Sequence, residues 1–132
     1  MKTEVINIYS QSVIEHFMCP QNASNMPDAD AEGSISDPSC GDSLTIFIKI
    51  KDDRIYDISY LVFGCPASIA TSSMLSMLAK GKKIEDALKI TEEDVAEALD
   101  GLPESKQHCS NLGVSALRNA INNYYSSKGG SR

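Results

Sequence analysis

The pattern of apolar and polar positions divides the chain into a helical start, a β-hairpin and a run of helices. In residues 5–18, Ile6, Tyr9, Val13 and Phe17 recur at three- and four-residue steps, which predicts one continuous helix with an apolar face. Pro20 ends it. Residues 21–39 are rich in Asn, Asp, Ser, Gly and Pro and read as loop, with a short edge strand over 33–36. Residues 44–50 alternate, with Leu44, Ile46, Ile48 and Ile50 on one face and Thr45, Phe47 and Lys49 on the other. Lys51-Asp52-Asp53-Arg54 then reads as a four-residue connection to a return strand over 55–63.

After Gly64 the period lengthens to that of a helix. Ala67, Ala70, Met74, Met77 and Leu78 are assigned to one buried face of a helix ending near Gly81. Ala and Ser dominate its early turns, so another backbone can come close; Ser72 and Ser73 read as small packing residues. A short helix is expected over 84–88. Thr91 with Asp94 forms a capping-box start, Val95, Ala98 and Leu99 follow as an inner face, and Gly101 and Pro103 close that helix. The last helix is expected over 109–125, with Leu117, Ala120, Ile121 and Tyr124 as its apolar stripe. A helix, a small antiparallel sheet and then several helices make an α+β fold. The 132 residues suit one domain, expected over 1–127, with a loose tail over 128–132.

Charge narrows the function classes. Twelve basic against eighteen acidic residues leave a net charge of −6, the wrong sign for binding nucleic acid or an anionic membrane surface. Residues 58–79 carry no charge and are long enough to cross a bilayer, but their serines, with Gly64 and Pro66 in the middle, read as strand, turn and helix. The first ten residues lack the basic and apolar regions of a signal peptide, so a cytoplasmic location is expected. In that reducing compartment, Cys19, Cys40, Cys65 and Cys109 point to metal, catalysis or plain burial rather than disulfides.

Three of these cysteines sit at expected element ends. Cys40 precedes the first clear strand in Pro38-Ser39-Cys40-Gly41-Asp42; Cys65 lies between strand and helix; Cys109 opens the last helix. Pro66 suits a first helical position, so Cys65 falls at the N-cap, where unpaired N–H groups and the helix dipole favour thiolate. The same argument applies to Cys109. If the three thiols converge, Asp42 and His108 are candidates for a fourth position, and the set suits Zn²⁺ or an iron–sulfur cluster. Gly41 and Gly64 would let the backbone pass close to a bulky inorganic group. The separations of 25 and 44 positions, with no Cys-x-x-Cys pair, leave metal, cluster and plain burial all open. Cys19 reads as a small buried hydrophobe, and His16 as a partly exposed surface residue. A Cys109–His108 dyad requires His108 to lie in the loop before the helix, with Asp42 orienting it.

Across these motifs the chain resembles the U-type iron–sulfur cluster scaffold proteins, the IscU and NifU N-terminal-domain family. The matching pieces are Tyr9-Ser10, Val13-Ile14, His16-Phe17 and Pro20, then Ser39-Cys40-Gly41-Asp42, Phe63-Gly64-Cys65 and Ala67-Ser68-Ile69-Ala70-Thr71-Ser72-Ser73. They continue through Gly81-Lys82, Ala87-Leu88-Lys89-Ile90, Leu102-Pro103 and Lys106 to His108-Cys109-Ser110. The resemblance implies a three-stranded sheet with packed helices, and a scaffold and carrier rather than an enzyme. On it a [2Fe–2S] cluster is built from iron and persulfide sulfur and handed to apo-proteins. It implies Cys40, Cys65 and Cys109 as cluster thiols, Asp42 and His108 at the remaining position, and Cys109 as first persulfide acceptor. Asp42, an oxygen among sulfurs, would weaken the hold and keep the cluster transferable. Zn²⁺ or Fe²⁺ would occupy the cluster-free form. Implied partners are a cysteine desulfurase, an electron donor such as a ferredoxin and apo iron–sulfur acceptors; three cysteines allow the cluster to sit on a monomer or to bridge a homodimer. Leu102-Pro103-Glu104-Ser105-Lys106 departs from the family's Leu-Pro-Pro-Val-Lys, which argues against an Hsp70-type chaperone. Two further departures are Pro66, where a small residue is common, and Cys19, where Asn is frequent. The alternative reading is a zinc-binding sulfur-transfer partner of a desulfurase. That branch carries an insertion between the second and third cysteines, and none is seen between Cys65 and Cys109.

Overall fold

The computed structural model describes residues 10–37, 41–102 and 108–127, with the backbone alone at 66, 108–110 and 127. The first helix, α1, spans Gln11–Met18. Its N-cap is Ser10, whose extended backbone (φ −65°, ψ 162°) interrupts the longer helix expected from periodicity. The Ser10 hydroxyl accepts the Val13 N–H at 3.1 Å and reaches the Leu99 carbonyl at 2.5 Å, so a distant partner holds the helix start. Of the expected stripe, Val13 is buried, Phe17 is 38% exposed, and Ile6 and Tyr9 lie outside the described residues.

Three antiparallel strands follow in spatial order β1-β2-β3: Ala31–Asp37, Asp42–Lys51 and Arg54–Phe63. The edge strand is longer than the expected 33–36. The β2–β3 connection is shorter than expected: Lys51 pairs with Arg54, leaving only Asp52 and Asp53 in the turn. Both have positive φ (54° and 65°), the requirement of a type I′ turn, whose twist matches that of the strands it joins. Leu44, Ile46 and Ile48 are buried on one face as the alternation predicts, but Phe47 on the other face is buried too; the pairing register shifts between Lys49 and Ile50.

The remaining helices are α2 (Pro66–Ala79), α3 (Ile84–Ala87), α4 (Glu92–Ala98) and α5 (His108–Ser127). Helix α5 lies on β1 and β2, and α2 lies on β3, α1 and α5. Gly33 permits the first contact: a Cβ there would lie 2.2 Å from the Ala120 backbone nitrogen and 2.6 Å from the Ala116 carbonyl oxygen. Such a contact is with backbone and cannot yield by rotating a side chain. Asn119 and Asn123 of α5 donate to the Ser34 and Glu32 carbonyls of β1, at 3.2 and 2.7 Å. Leu117, Ala120 and Ile121 are buried, as the apolar stripe of this helix predicted.

Helix α2 is buried on nearly every side, which is why no single apolar stripe describes it. Ala67, Ala70, Met74, Leu75 and Ala79 are buried, and so are Ser68, Thr71, Ser72, Ser73 and Ser76. Met77, in the last turn of α2, is 50% exposed rather than in the core, although it shares a helix face with buried Ala70 and Met74. Among the described residues, no helix is long and apolar enough to cross a membrane.

Candidate functional site

The antiparallel register brings the start of β2 against the end of β3. Ser43 opposes Phe63, so Asp42 arrives beside Gly64 and Cys65 where β3 hands over to α2. Cys65 is the N-cap of α2, as the Cys-Pro dipeptide predicted, with extended backbone (φ −79°, ψ 172°) and Pro66 at the first helical position. It is half-buried, and its side chain makes no capping hydrogen bond to the helix. The sulfur therefore stays at the positive end of the helix without being used to close it.

Asp42 is 6% exposed, an unusual burial for a carboxylate, and such a group requires donors. One is Ser68, in the first turn of α2, whose hydroxyl donates to Asp42 Oδ2. Cys65 Sγ lies 4.0 Å from the same oxygen and 3.6 Å from Ser68 Oγ. Gly64 makes room for this group. A Cβ on it would sit 2.8 Å from Ser68 Cβ and 2.9 Å from Asp42 Cγ. The need for glycine here is thus space for two protein side chains. Among the described residues, no three His, Cys, Asp or Glu side chains come together as a metal group. Asp42 and Cys65 are the two predicted site residues that the structure brings together. Cys40 lies outside the described residues. The backbone of α5 begins at His108, which places that residue in the helix rather than in the preceding loop; the side chains of His108 and Cys109 lie outside the described residues.

Ser68 was not singled out from sequence. The signal was its position: it is the third helical residue after an N-cap, where a side chain can reach out of the first turn. Cys19 corrects the reading in the other direction. It is exposed, not buried, because it follows the last turn of α1 as its C-cap, with its N–H on the Glu15 carbonyl at 2.9 Å.

The buried serines of α2 do more than pack. Ser73 Oγ accepts the Gln21 N–H at 2.8 Å and lies 2.7 Å from His16 Nδ1; Ser76 Oγ accepts from Asn22 Nδ2 at 2.9 Å. These bonds fasten α1 and the following loop to α2. Burial pushes the Tyr60 phenol up to about 12.

Residues 8–130 match the family described as the NifU-like N terminal domain. Over 122 residues the chain is 55% identical to the iron–sulfur cluster assembly scaffold protein IscU 1 of Archaeoglobus fulgidus, covering 92% of this chain and 80% of that one. It is 42% identical over 123 residues to the scaffold protein IscU of Aquifex aeolicus, covering 92% and 78%. In fold it is similar to the crystal structure of a nitrogen-fixing NifU-like protein (N-terminal) from Brucella abortus. There the TM-score is 0.73 at 18% identity, over 92% of this chain and 97% of that one.

Proposed function

The chain belongs to the NifU-like N-terminal domain family, and on that premise we propose that it is a scaffold and carrier on which an iron–sulfur cluster is assembled and passed on. The observation that carries the reading is the pairing of Cys65 with buried Asp42 at the start of α2, in a chain 55% identical to a named scaffold. A half-buried thiol at a helix N-terminus, spared from capping, suits a ligand that must be both available and held in direction.

In the finer form of the proposal, the cargo is a [2Fe–2S] cluster held by Cys40, Cys65 and Cys109, with Asp42 or His108 at the remaining position. Sulfur comes from a cysteine desulfurase persulfide. The Cys109 thiolate attacks its outer sulfur, a new S–S bond forms on Cys109, and the desulfurase thiolate leaves. Each sulfur then needs two electrons to become sulfide, which a ferredoxin-type donor supplies. Apo-proteins are the recipients.

The test is anaerobic reconstitution with iron, cysteine and a desulfurase, followed by visible absorbance and iron and sulfide counts per chain. The expected result is a coloured protein with near-equal iron and sulfide, lost in Cys40→Ser, Cys65→Ser and Cys109→Ser. A colourless protein that binds zinc and stimulates the desulfurase would replace the scaffold with a sulfur-transfer role.

A further inference from the structure

The Ser68 hydroxyl stands between the two described members of the site. It donates to Asp42 Oδ2 and lies 3.6 Å from Cys65 Sγ, while that sulfur is 4.0 Å from the same carboxylate oxygen. Ser68 is itself 1% exposed, and the missing Gly64 side chain leaves the space in which the three groups meet. A serine hydroxyl has one proton to give. Spent on Asp42, it fixes one oxygen of the carboxylate, and with it the direction of the group relative to the sulfur. Ser68 is anchored by α2 and Asp42 by β2, so the bond also ties the helix that carries Cys65 to the strand that carries Asp42.

We propose that Ser68 is a positioning residue that holds the Asp42 carboxylate against the Cys65 thiol. The inference deepens the scaffold reading and takes its functional consequence from it: the carboxylate that shares the site with the cargo is set by a serine one turn into α2. Outer partners of this kind orient ligands, and their loss typically changes metal affinity about 10–100-fold.

The positioning can be read without any cargo. In the metal-free, reduced protein, Cys65 is alkylated with neutral iodoacetamide and with anionic iodoacetate, and the ratio of the two rates is followed by peptide mass. A carboxylate held near the sulfur repels the anionic reagent selectively, and the ratio cancels changes in thiolate fraction. Asp42→Asn removes the charge and should raise the iodoacetate-to-iodoacetamide ratio at Cys65 about fivefold, the size of a unit charge about 4 Å away in water. Ser68→Ala should raise it in the same direction, and the double variant should match Asp42→Asn alone. Exposed Cys19 serves as the internal reference and should not change. Ser68→Thr keeps the hydroxyl and should keep the original ratio; it is the second variant should Ser68→Ala not fold.

An unchanged ratio in Ser68→Ala, a raised ratio in Ser68→Thr, or additive effects in the double variant would each overturn the inference. After reconstitution, Ser68→Ala should shift the lifetime of the bound cluster in the same direction as Asp42→Asn. A chain that never loads iron and sulfide sinks the scaffold reading, and the alkylation ratio still decides the role of Ser68.

Discussion

Two helices of this protein begin in opposite ways. Helix α4 closes its own start: the Thr91 hydroxyl accepts the Asp94 N–H at 3.1 Å, and the Asp94 carboxylate accepts the Thr91 N–H at 3.0 Å. Helix α2 does not. Its N-cap, Cys65, makes no side-chain cap bond, and the residue matching Asp94 in position, Ser68, turns away from the helix to a strand residue 26 positions earlier. The first arrangement is local and serves the helix alone. The second leaves the helix start less well closed, because cysteine is a poor substitute for the Ser, Thr, Asp and Asn that usually cap, and it leaves a sulfur beside a buried carboxylate. A fold can place reactive chemistry where a stabilising cap would otherwise be.

The strongest way to break this comparison is Gly64→Ala. The new Cβ would press on both Ser68 and Asp42, with an expected loss of about 1–3 kcal/mol in denaturant unfolding and a failure to load iron and sulfide. Full stability and full loading together would show that the crowded geometry is not needed. Next is Thr91→Ala, expected to lower stability by about 1 kcal/mol with cluster loading unchanged. Its converse, Cys65→Ser, should abolish loading while leaving the melting temperature unchanged or slightly higher; a large fall would assign the thiol a structural role.

The smallest effect belongs to an exposed pair that serves neither helix, Lys49 and Asp28 at 2.7 Å. The hydrogen bond from Lys49 holds the Asp28 carboxyl below its usual value of 3.8. Its contribution is therefore fully present above that value and lost as pH falls through the lowered one. The same bond raises Lys49 above 10.5, so on the alkaline side the contribution is lost as pH rises through the raised value. Comparing acid unfolding of Asp28→Asn with the unsubstituted chain should show a small difference that salt removes.

Much of this was legible in the sequence because it is local. The alternation of Leu44, Ile46 and Ile48, the Thr91–Asp94 box and the Cys-Pro start of α2 each follow from residues a few positions apart. What escaped depends on partners far along the chain. Ser10 stops α1 in part by reaching Leu99, 89 positions away, and Ser68 acquires its role only when β2 delivers Asp42. The two-residue turn escaped for another reason: Asp-Asp is not the usual composition for two left-handed positions, so Lys51 and Arg54 read as turn rather than as a strand pair. Cys19 shows the limit of composition itself, since a cysteine's tendency to be buried yields to its place at a helix end.

The seating of α5 on β1 has a consequence for self-association. Strand β1 is an edge of the sheet, and Asn119 and Asn123 occupy the carbonyls of Ser34 and Glu32 that an incoming strand would otherwise use. Helix α5 is thus a guard against strand addition as well as the element that begins at the His108-Cys109 motif. Any motion that lifted α5 from β1 would unzip the guard and offer an open edge to a second molecule. The packing of α5 therefore protects the sheet edge as well as covering the sheet.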